Sequence, residues 1–230
     1  MNAPKDTSNP SSLRLVLTLA IAGLVSGVAI IGIYETTLPT ITANKARELR
    51  EAVFKVLPGV SQMQALVYRD GELVVVETPD KDEPVIYGGY DEPGEFIGYA
   101  MPAAGPGFQD TIAILYGYQP AEKIVVGMEV LESRETPGLG DKIYKDAAFV
   151  ANFDDLAIEP PIVATKKGKT NPNEIDAITG ATISSVAVAR IINKGNDHWV
   201  SKLPEPGAEP AYVEVAAPAA SSEAVDTQAP

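Results

Sequence analysis

The chain has no cysteine, which excludes thiolate catalysis, iron–sulfur ligation and cysteine zinc sites. It also fits an oxidising compartment. There is one histidine, His198. A Ser-His-Asp hydrolase would have to use it, and nothing around it resembles a nucleophile elbow, so it reads as a helix-end or surface histidine. Basic residues are scarce, 18 Lys and Arg against 31 Asp and Glu for a net charge of −13. That balance argues against a nucleic-acid partner and for solubility of an exposed domain. Regular alternation of strand and helix is also missing, which disfavours a doubly wound sheet.

One long apolar run is present. Leu15 to Tyr34 is uncharged, bounded by Arg14 and Glu35, and long enough to cross a hydrocarbon core of roughly 30 Å. No small-x-small cleavage site follows Tyr34, so residues 13–35 read as an uncleaved transmembrane helix after a short polar tail, 1–12. Gly23 and Gly27 form a Gly-x-x-x-Gly suited to close helix packing, although glycine is common in membrane helices. Lysines and arginines fall on both sides of the run, so the charge rule leaves orientation open.

At 230 residues the whole chain has room for the anchor plus one domain with a real core. A helix is predicted from about Ala43 to Leu57, entered from Pro39 and stopped by Pro58-Gly59. Met63–Tyr68 and Leu73–Glu77 read as a hairpin turning at Asp70-Gly71. Pro79–Pro84 is a charged loop. Ile86, Gly98–Ala100, Ile112–Tyr116 and Ile124–Val130 read as further strands, and Tyr144–Phe153 as a short amphipathic helix. The expected fold is α+β, a twisted, mostly antiparallel sheet flanked by helices over residues 36–202. Residues 203–230 lack lysine and arginine and are rich in Pro, Ala and Glu, which predicts a segment that does not order itself.

The most informative stretch is Asp176-Ala177-Ile178-Thr179-Gly180-Ala181-Thr182-Ile183-Ser184-Ser185. It reads as a tight turn feeding a helix whose apolar face is Val186, Ala187, Ile191 and Ile192, with Gly195 as its C-terminal stop. Thr182 then falls near the helix N-terminus, where free N–H groups and the dipole favour an anion. Two readings of Thr182 and Ser184 stay open, a simple N-cap or a phosphate site. Gly105-Pro106-Gly107-Phe108 is either a plain loop with a buried aromatic or a platform for a ring. Tyr116 reads as core with a bonded hydroxyl. Lys166-Lys167-Gly168-Lys169 is either a solvated hairpin turn or a surface for phosphate or an acidic partner.

The Asp-x-x-Thr-Gly-Ala-Thr wording, Asp176 to Thr182, resembles the flavinylation motif of the covalent FMN-binding domain family. There a flavin transferase joins FMN by a phosphoester to the last threonine, here Thr182. Glu135-Thr136-Pro137-Gly138-Leu139-Gly140-Asp141-Lys142-Ile143 resembles the flavin-contacting loop of the G subunit of Rnf electron-transport complexes. The C subunit of the sodium-translocating NADH:quinone reductase shares Glu135 to Gly140, while Asp141-Lys142-Ile143 fits the Rnf version better. The resemblance runs from the apolar segment to about His198.

That resemblance implies FMN on Thr182, with Thr179, Gly180 and Ala181 at its phosphate end, Asp176 in the attachment motif, and Ser184 close by. Glu135, Thr136, Gly138, Leu139 and Lys142 would line the site, with Phe108 and Leu139 on the two faces of the ring. It also implies an electron-transfer subunit without a substrate of its own, and integral-membrane and redox partner subunits. The location implied is the bacterial inner membrane, with the large domain on the periplasmic side. Two alternatives remain: the quinone-reductase subunit, and an anchored binding or scaffold module in which the turn merely starts a helix.

Overall fold

The computed structural model describes residues 12–80 and 83–214. Within them the chain divides between Glu48 and Leu49 into two units. Residues 1–11 of the expected 1–12 tail, two residues of the charged loop and the end of the chain from 215 lie outside the described residues.

The first unit is helical throughout its described residues. Helix α1 runs unbroken over Ser12–Val56, so the expected break between an anchor and a second helix is corrected. Pro39 sits inside the helix. It removes only one N–H from the ladder, and the surrounding threonines bond back along it. The Thr36 and Thr37 hydroxyls donate to the Gly32, Ile33 and Tyr34 carbonyls, and Thr42 donates to Leu38 at 3.0 Å. Leu13 to Tyr34 carries its large apolar side chains exposed. This helix is long and apolar enough to cross a membrane.

In the second unit, strands β1 (Gln62–Arg69), β2 (Glu72–Val76), β3 (Val85–Tyr90), β4 (Phe96–Pro106), β5 (Thr111–Gln119), β6 (Ile124–Ser133) and β7 (Leu156–Ala157) form one sheet. Its order is β2-β1-β3-β4-β5-β6-β7, and every pairing is antiparallel. The expected α+β class with a mostly antiparallel sheet is what forms. At the β1–β2 turn Asp70 and Gly71 take φ of 52° and 96°, the two positive values that a tight hairpin turn demands.

Period-2 alternation gives the sheet two buried faces. On one, Tyr99, Met101, Ile112, Ile114 and Tyr116 meet helix α4 (Thr182–Trp199) through Val188, Ile191 and Ile192. Burial of each such aliphatic side chain is worth about 1.5–3 kcal/mol. On the other face, Ala100 and Leu115 meet Ala52, Val53, Val56 and Leu57, the last turns of α1 and its exit.

Several expected details change. Gly195 lies inside α4 instead of ending it, and its lack of a side chain answers to packing, since a Cβ there would lie 2.5 Å from the Tyr116 hydroxyl. Tyr116 is itself core and donates to Asn196 Oδ1 at 3.0 Å. Val186 turns outward, and Ala187, Val188 and Ala189 take the buried face. The amphipathic helix at 144–153 is three pieces, α2 (Lys142–Lys145), α3 (Ala147–Val150) and a 3-10 turn (Ala151–Phe153). Asp146 interrupts it in extended backbone and its side chain accepts from Ala148 N–H to start α3. The basic run Lys166–Lys169 connects β8 (Val163–Thr165) to β9 (Glu174–Asp176), and these strands are parallel, so it is not a hairpin turn.

The C-terminal segment is ordered further than composition suggests. Tyr90 Oη donates to the Pro210 carbonyl at 2.6 Å, Gln64 Nε2 donates to the Ala211 carbonyl at 3.0 Å, and Val213 N–H donates to Gln64 Oε1 at 3.1 Å. The Tyr212 ring sits 5.4 Å from that of Tyr90. Gln64 and Tyr90 are buried, so residues 204–214 satisfy polar groups that the sheet leaves over. Deleting everything after Leu203 is therefore expected to destabilise the domain by about 3 kcal/mol, the sum of three lost bonds and a bared aromatic cluster. Deletion after Glu214 is the control, and urea denaturation of the two truncated chains compares them.

Candidate functional site

Helix α4 starts in an unusual way. Its N-cap is Ala181, which has no side chain with which to cap it. The Ser185 N–H donates to the Ala181 carbonyl at 3.0 Å, so the N–H groups of Thr182, Ile183 and Ser184 precede the intrahelical ladder. The preceding turn is fixed from within. Gly180 takes φ of 87°, Ser185 Oγ donates to the Ala181 carbonyl and accepts from the Ile178 N–H at 3.1 Å, and Ala181 N–H donates to the Ile178 carbonyl. Thr182 is the first residue of the helix and half-buried. Its hydroxyl reaches the Ile178 carbonyl only at 3.4 Å, so neither Thr182 nor Ser184 acts as the cap.

Beside this helix start lies a cavity of about 310 Å³, walled by Phe108, Thr136, Leu139, Gly140, Gly180, Ala181, Thr182, Ile183 and Ser184. Its size is at the small end of the range for ligand sites. Phe108 from the β4–β5 turn is 63% exposed, Leu139 is 49% exposed and Ile183 is 58% exposed. Large apolar side chains held this open, beside the hydroxyl residues Thr136, Thr182 and Ser184, are what a flat aromatic ligand would cover.

Glu135 holds the three segments together. It is 5% exposed. Its Oε1 accepts from the Phe108 and Gln109 N–H groups, both at 2.9 Å, and its Oε2 accepts from Ser184 Oγ at 2.5 Å. Gly107 and Gly140 close around it, since a Cβ on Gly107 would lie 2.5 Å from Oε1 and one on Gly140 would lie 2.7 Å from Oε2. Thr136 adds a link from its hydroxyl to Gln109 Oε1 at 2.9 Å. Burial pushes the Glu135 carboxyl up, but the Ser184 hydroxyl and the Gln109, Asp110 and Phe108 backbone together outweigh it and hold the group below the usual carboxylate range.

A depressed pKa fixes the sign of the pH effect. The stabilisation is fully present above about pH 4.3, the ordinary glutamate value, and is lost as pH falls through the lower folded value. Glu135→Gln is thus expected to cost about 2 kcal/mol at pH 7, where charged hydrogen bonds become neutral. The difference from wild type should shrink below pH 4, and paired urea titrations at the two pH values check it.

Other residues of the two motifs stand further back. Glu135 supports the wall from behind and does not line it. Gly138, at φ of 77°, shapes the loop, and Lys142 opens α2; neither is in the cavity wall. Thr179 and Asp176 are exposed outside that wall, Asp176 at the end of β9. Asp141, buried next in the loop, pairs with Lys145 at 2.6 Å, and that bond first of all lowers its pKa. His198 lies sixteen residues along α4 from Thr182, roughly 24 Å away at 1.5 Å per residue, and has no part in the site. The places of Gly140, Ile183 and Gln109 at the site do not follow from the sequence reading. Ile183 had a signal, being an apolar residue that does not belong to the buried stripe of its helix.

A model of the FMN-binding domain family matches residues 107–196, the span from the β4–β5 turn to the last turn of α4. The G subunit of the Na(+)-translocating ferredoxin:NAD(+) oxidoreductase complex of Acetobacterium woodii is 30% identical over 186 residues, 78% of this chain and 87% of that one. The G subunit of the ion-translocating oxidoreductase complex of Methanosarcina acetivorans is 28% identical over 187 residues, 80% of this chain and 93% of that one. The crystal structure of NqrC from Shewanella oneidensis superposes with a TM-score of 0.55 over 70% of this chain and 98% of that one, at 17% identity. That likeness establishes the fold. With both motifs at one cavity and the match extending over most of its length, the chain belongs to the G-subunit family of Rnf-type ion-translocating oxidoreductase complexes.

Proposed function

We propose that this chain is a membrane-anchored electron-transfer subunit that carries FMN as a phosphoester on Thr182, within a complex that couples ferredoxin and NAD redox chemistry to ion transport. The observation that carries the reading is the start of α4. A hydroxyl sits at the first helical position, no side chain caps the helix, and the cavity beside it has an aromatic and an aliphatic wall. The names of the G-subunit relatives support the setting in a complex. The match of the FMN-binding domain model to the same residues supports the cofactor.

The residues present fit the group. The N–H groups of Thr182, Ile183 and Ser184, with the positive end of the α4 dipole, would hold a phosphate. Gly180 and Ala181 keep side-chain bulk away from it. Phe108 and Leu139 would cover the ring, and Glu135 would keep both at their distance from Ser184. FMN supplies one- and two-electron redox chemistry when bound. The chain's own share is to attach, orient and shield.

Residues 13–35 of α1 would span the bacterial inner membrane once, with 1–12 in the cytoplasm and the domain from 36 on the periplasmic side. Space around Gly23 and Gly27 is open within 4 Å among the described residues, which supports packing against a helix of an integral-membrane partner. A flavin transferase would install the cofactor. The test is direct. The chain purified from its own membranes should fluoresce as flavin in a denaturing gel and weigh more by FMN less water. A colourless chain of unmodified mass returns the scaffold reading.

A further inference from the structure

A larger cavity, about 550 Å³, runs along the outer side of α4, walled by Val163 and Ala164 of β8, Val186, Arg190 and Lys194 of α4, and Pro106 at the end of β4, among others. Strand β8 has a partner on one side only. Val163 N–H donates to the Asn173 carbonyl at 3.0 Å and the Thr165 carbonyl accepts from Ala177 N–H at 2.7 Å, so both residues turn their backbone groups toward β9. Alternation along the strand then turns the groups of Ile162 and Ala164 the other way. Ile162 is already satisfied there. Its N–H donates to Asn193 Oδ1 and its carbonyl accepts from Asn193 Nδ2, each at 2.9 Å, a side-chain amide standing where the next strand's peptide group would be. Ala164 presents its N–H and carbonyl to the groove.

The walls and charges around this edge point to one kind of occupant. Val163 is 53% and Val186 45% exposed, so the groove has apolar sides. Arg190 is pinned over it by a bond from Nη2 to the Pro106 carbonyl. Lys194 lines it, and Lys166, Lys167 and Lys169 follow directly after β8. Lys55, Arg69, Lys123, Arg134 and Lys145 each have a carboxylate within 4 Å. Among the described residues, none of the five cations around the groove forms such a pair. Asp197 is the acidic residue in the wall, and the neighbouring Glu174 carboxylate is taken up by Thr170 and Asn171. In a chain of net charge −13 this is a local excess of positive charge.

We propose that this groove docks an extended acidic segment of a partner protein. The segment's backbone pairs with Ala164 at the free edge of β8, its carboxylates meet Arg190, Lys194 and the lysines of 166–169, and an apolar side chain rests between Val163 and Val186. Main-chain pairing supplies affinity and the side chains supply selection, the pattern of strand addition. A concave groove with apolar walls and one free peptide group favours a peptide over a lipid surface, which needs no backbone partner.

The test uses the full chain in phosphatidylcholine nanodiscs, probed with a fluorescent, acetylated octapeptide of alternating Asp and Val and with its Lys–Val counterpart. The acidic peptide should bind and weaken with salt, and the basic one should not. Arg190→Glu with Lys194→Glu should weaken binding more than tenfold. So should Ala164→Pro, which removes the outward N–H while leaving the β8–β9 bonds, and both variants should melt within about 5 °C of wild type, the double variant having lost the Arg190–Pro106 bond. Failure of the acidic peptide to bind, or binding that neither variant weakens, overturns the proposal. Binding that appears only after residues 215–230 are deleted assigns the groove to the chain's own end. Displacement of the labelled peptide by monomeric short-chain phosphatidylglycerol at lower concentrations than by unlabelled peptide assigns it to lipid. Either also overturns the proposal. Measurement on Thr182→Val keeps the result separate from the flavin reading.

Discussion

Thr182→Val is expected to yield a chain that folds and inserts, yet carries no flavin through denaturation. Valine keeps the β-branched shape and deletes the hydroxyl. The Thr182 hydroxyl makes one long bond, 3.4 Å to the Ile178 carbonyl, so its structural loss is small, about 0.5 kcal/mol or less. The helix start stays as it is, because the N-cap is Ala181 and the turn is tied by Ser185. Loss of attachment is all-or-none, and the two effects are read separately, by intact mass and by a melting curve.

The neighbouring hydroxyls serve as internal controls. Thr179 is exposed outside the cavity wall, so Thr179→Val should reduce flavin loading far less. Thr182→Ser keeps a hydroxyl within reach of the same N–H groups and should load partially. Ser184 and Ser185 are both buried and committed, one to Glu135 and the other to the Ala181 carbonyl. Flavin that persists on Thr182→Val, located by peptide mapping at either serine, would move the bond and require the helix start to open. Electron flow through the assembled complex should fall to background with Thr182→Val and remain substantial with Thr179→Val.

How much of this was legible in the sequence depended on whether the cause was local. The Asp70-Gly71 hairpin, the strand runs and a helix opening at Thr182 all follow from turn chemistry and short-range periodicity. The two motifs and the glycine-rich turn named Leu139, Thr182 and Phe108, which the fold brings to one cavity. The role of Glu135 was not legible, because Ser184 is 49 positions away and no local pattern tells a carboxylate that lines a cavity from one that braces it. Gly195 looked like a helix stop because its reason for being glycine is Tyr116, from a strand far away in the chain. Residues 204–214 read as a loose tail because composition does not show that Gln64 and Tyr90 need partners. The parallel pairing of β8 with β9 rests on two short strands too brief to carry a pattern.

Gly117→Ala is expected to cost about 3 kcal/mol or more, on the order of the largest overpacking effects. Gly117 of β5 lies opposite Gly127 of β6, and the pair forms a notch that receives the last turn of α1. A Cβ on Gly117 would overlap the Val56 carbonyl oxygen outright, and one on Gly127 would stand 2.8 Å from it. The obstacle is backbone, so rotating a side chain cannot relieve it. Retreat of the helix end would open the face where Ala52, Val53, Val56 and Leu57 meet Ala100 and Leu115. Gly71→Ala is the matched control. Gly71 has φ of 96° and open space around its Cβ position, so its penalty is conformational alone, about 1 kcal/mol. At roughly 2–4 °C per kcal/mol for a domain of this size, Gly117→Ala should melt about 10 °C below wild type and Gly71→Ala about 3 °C below. Gly127→Ala should fall between them, its carbonyl contact being less severe. Equal losses at Gly117 and Gly71 would mean that the end of α1 does not press on the sheet, and that this face is held by something other than the glycine notch.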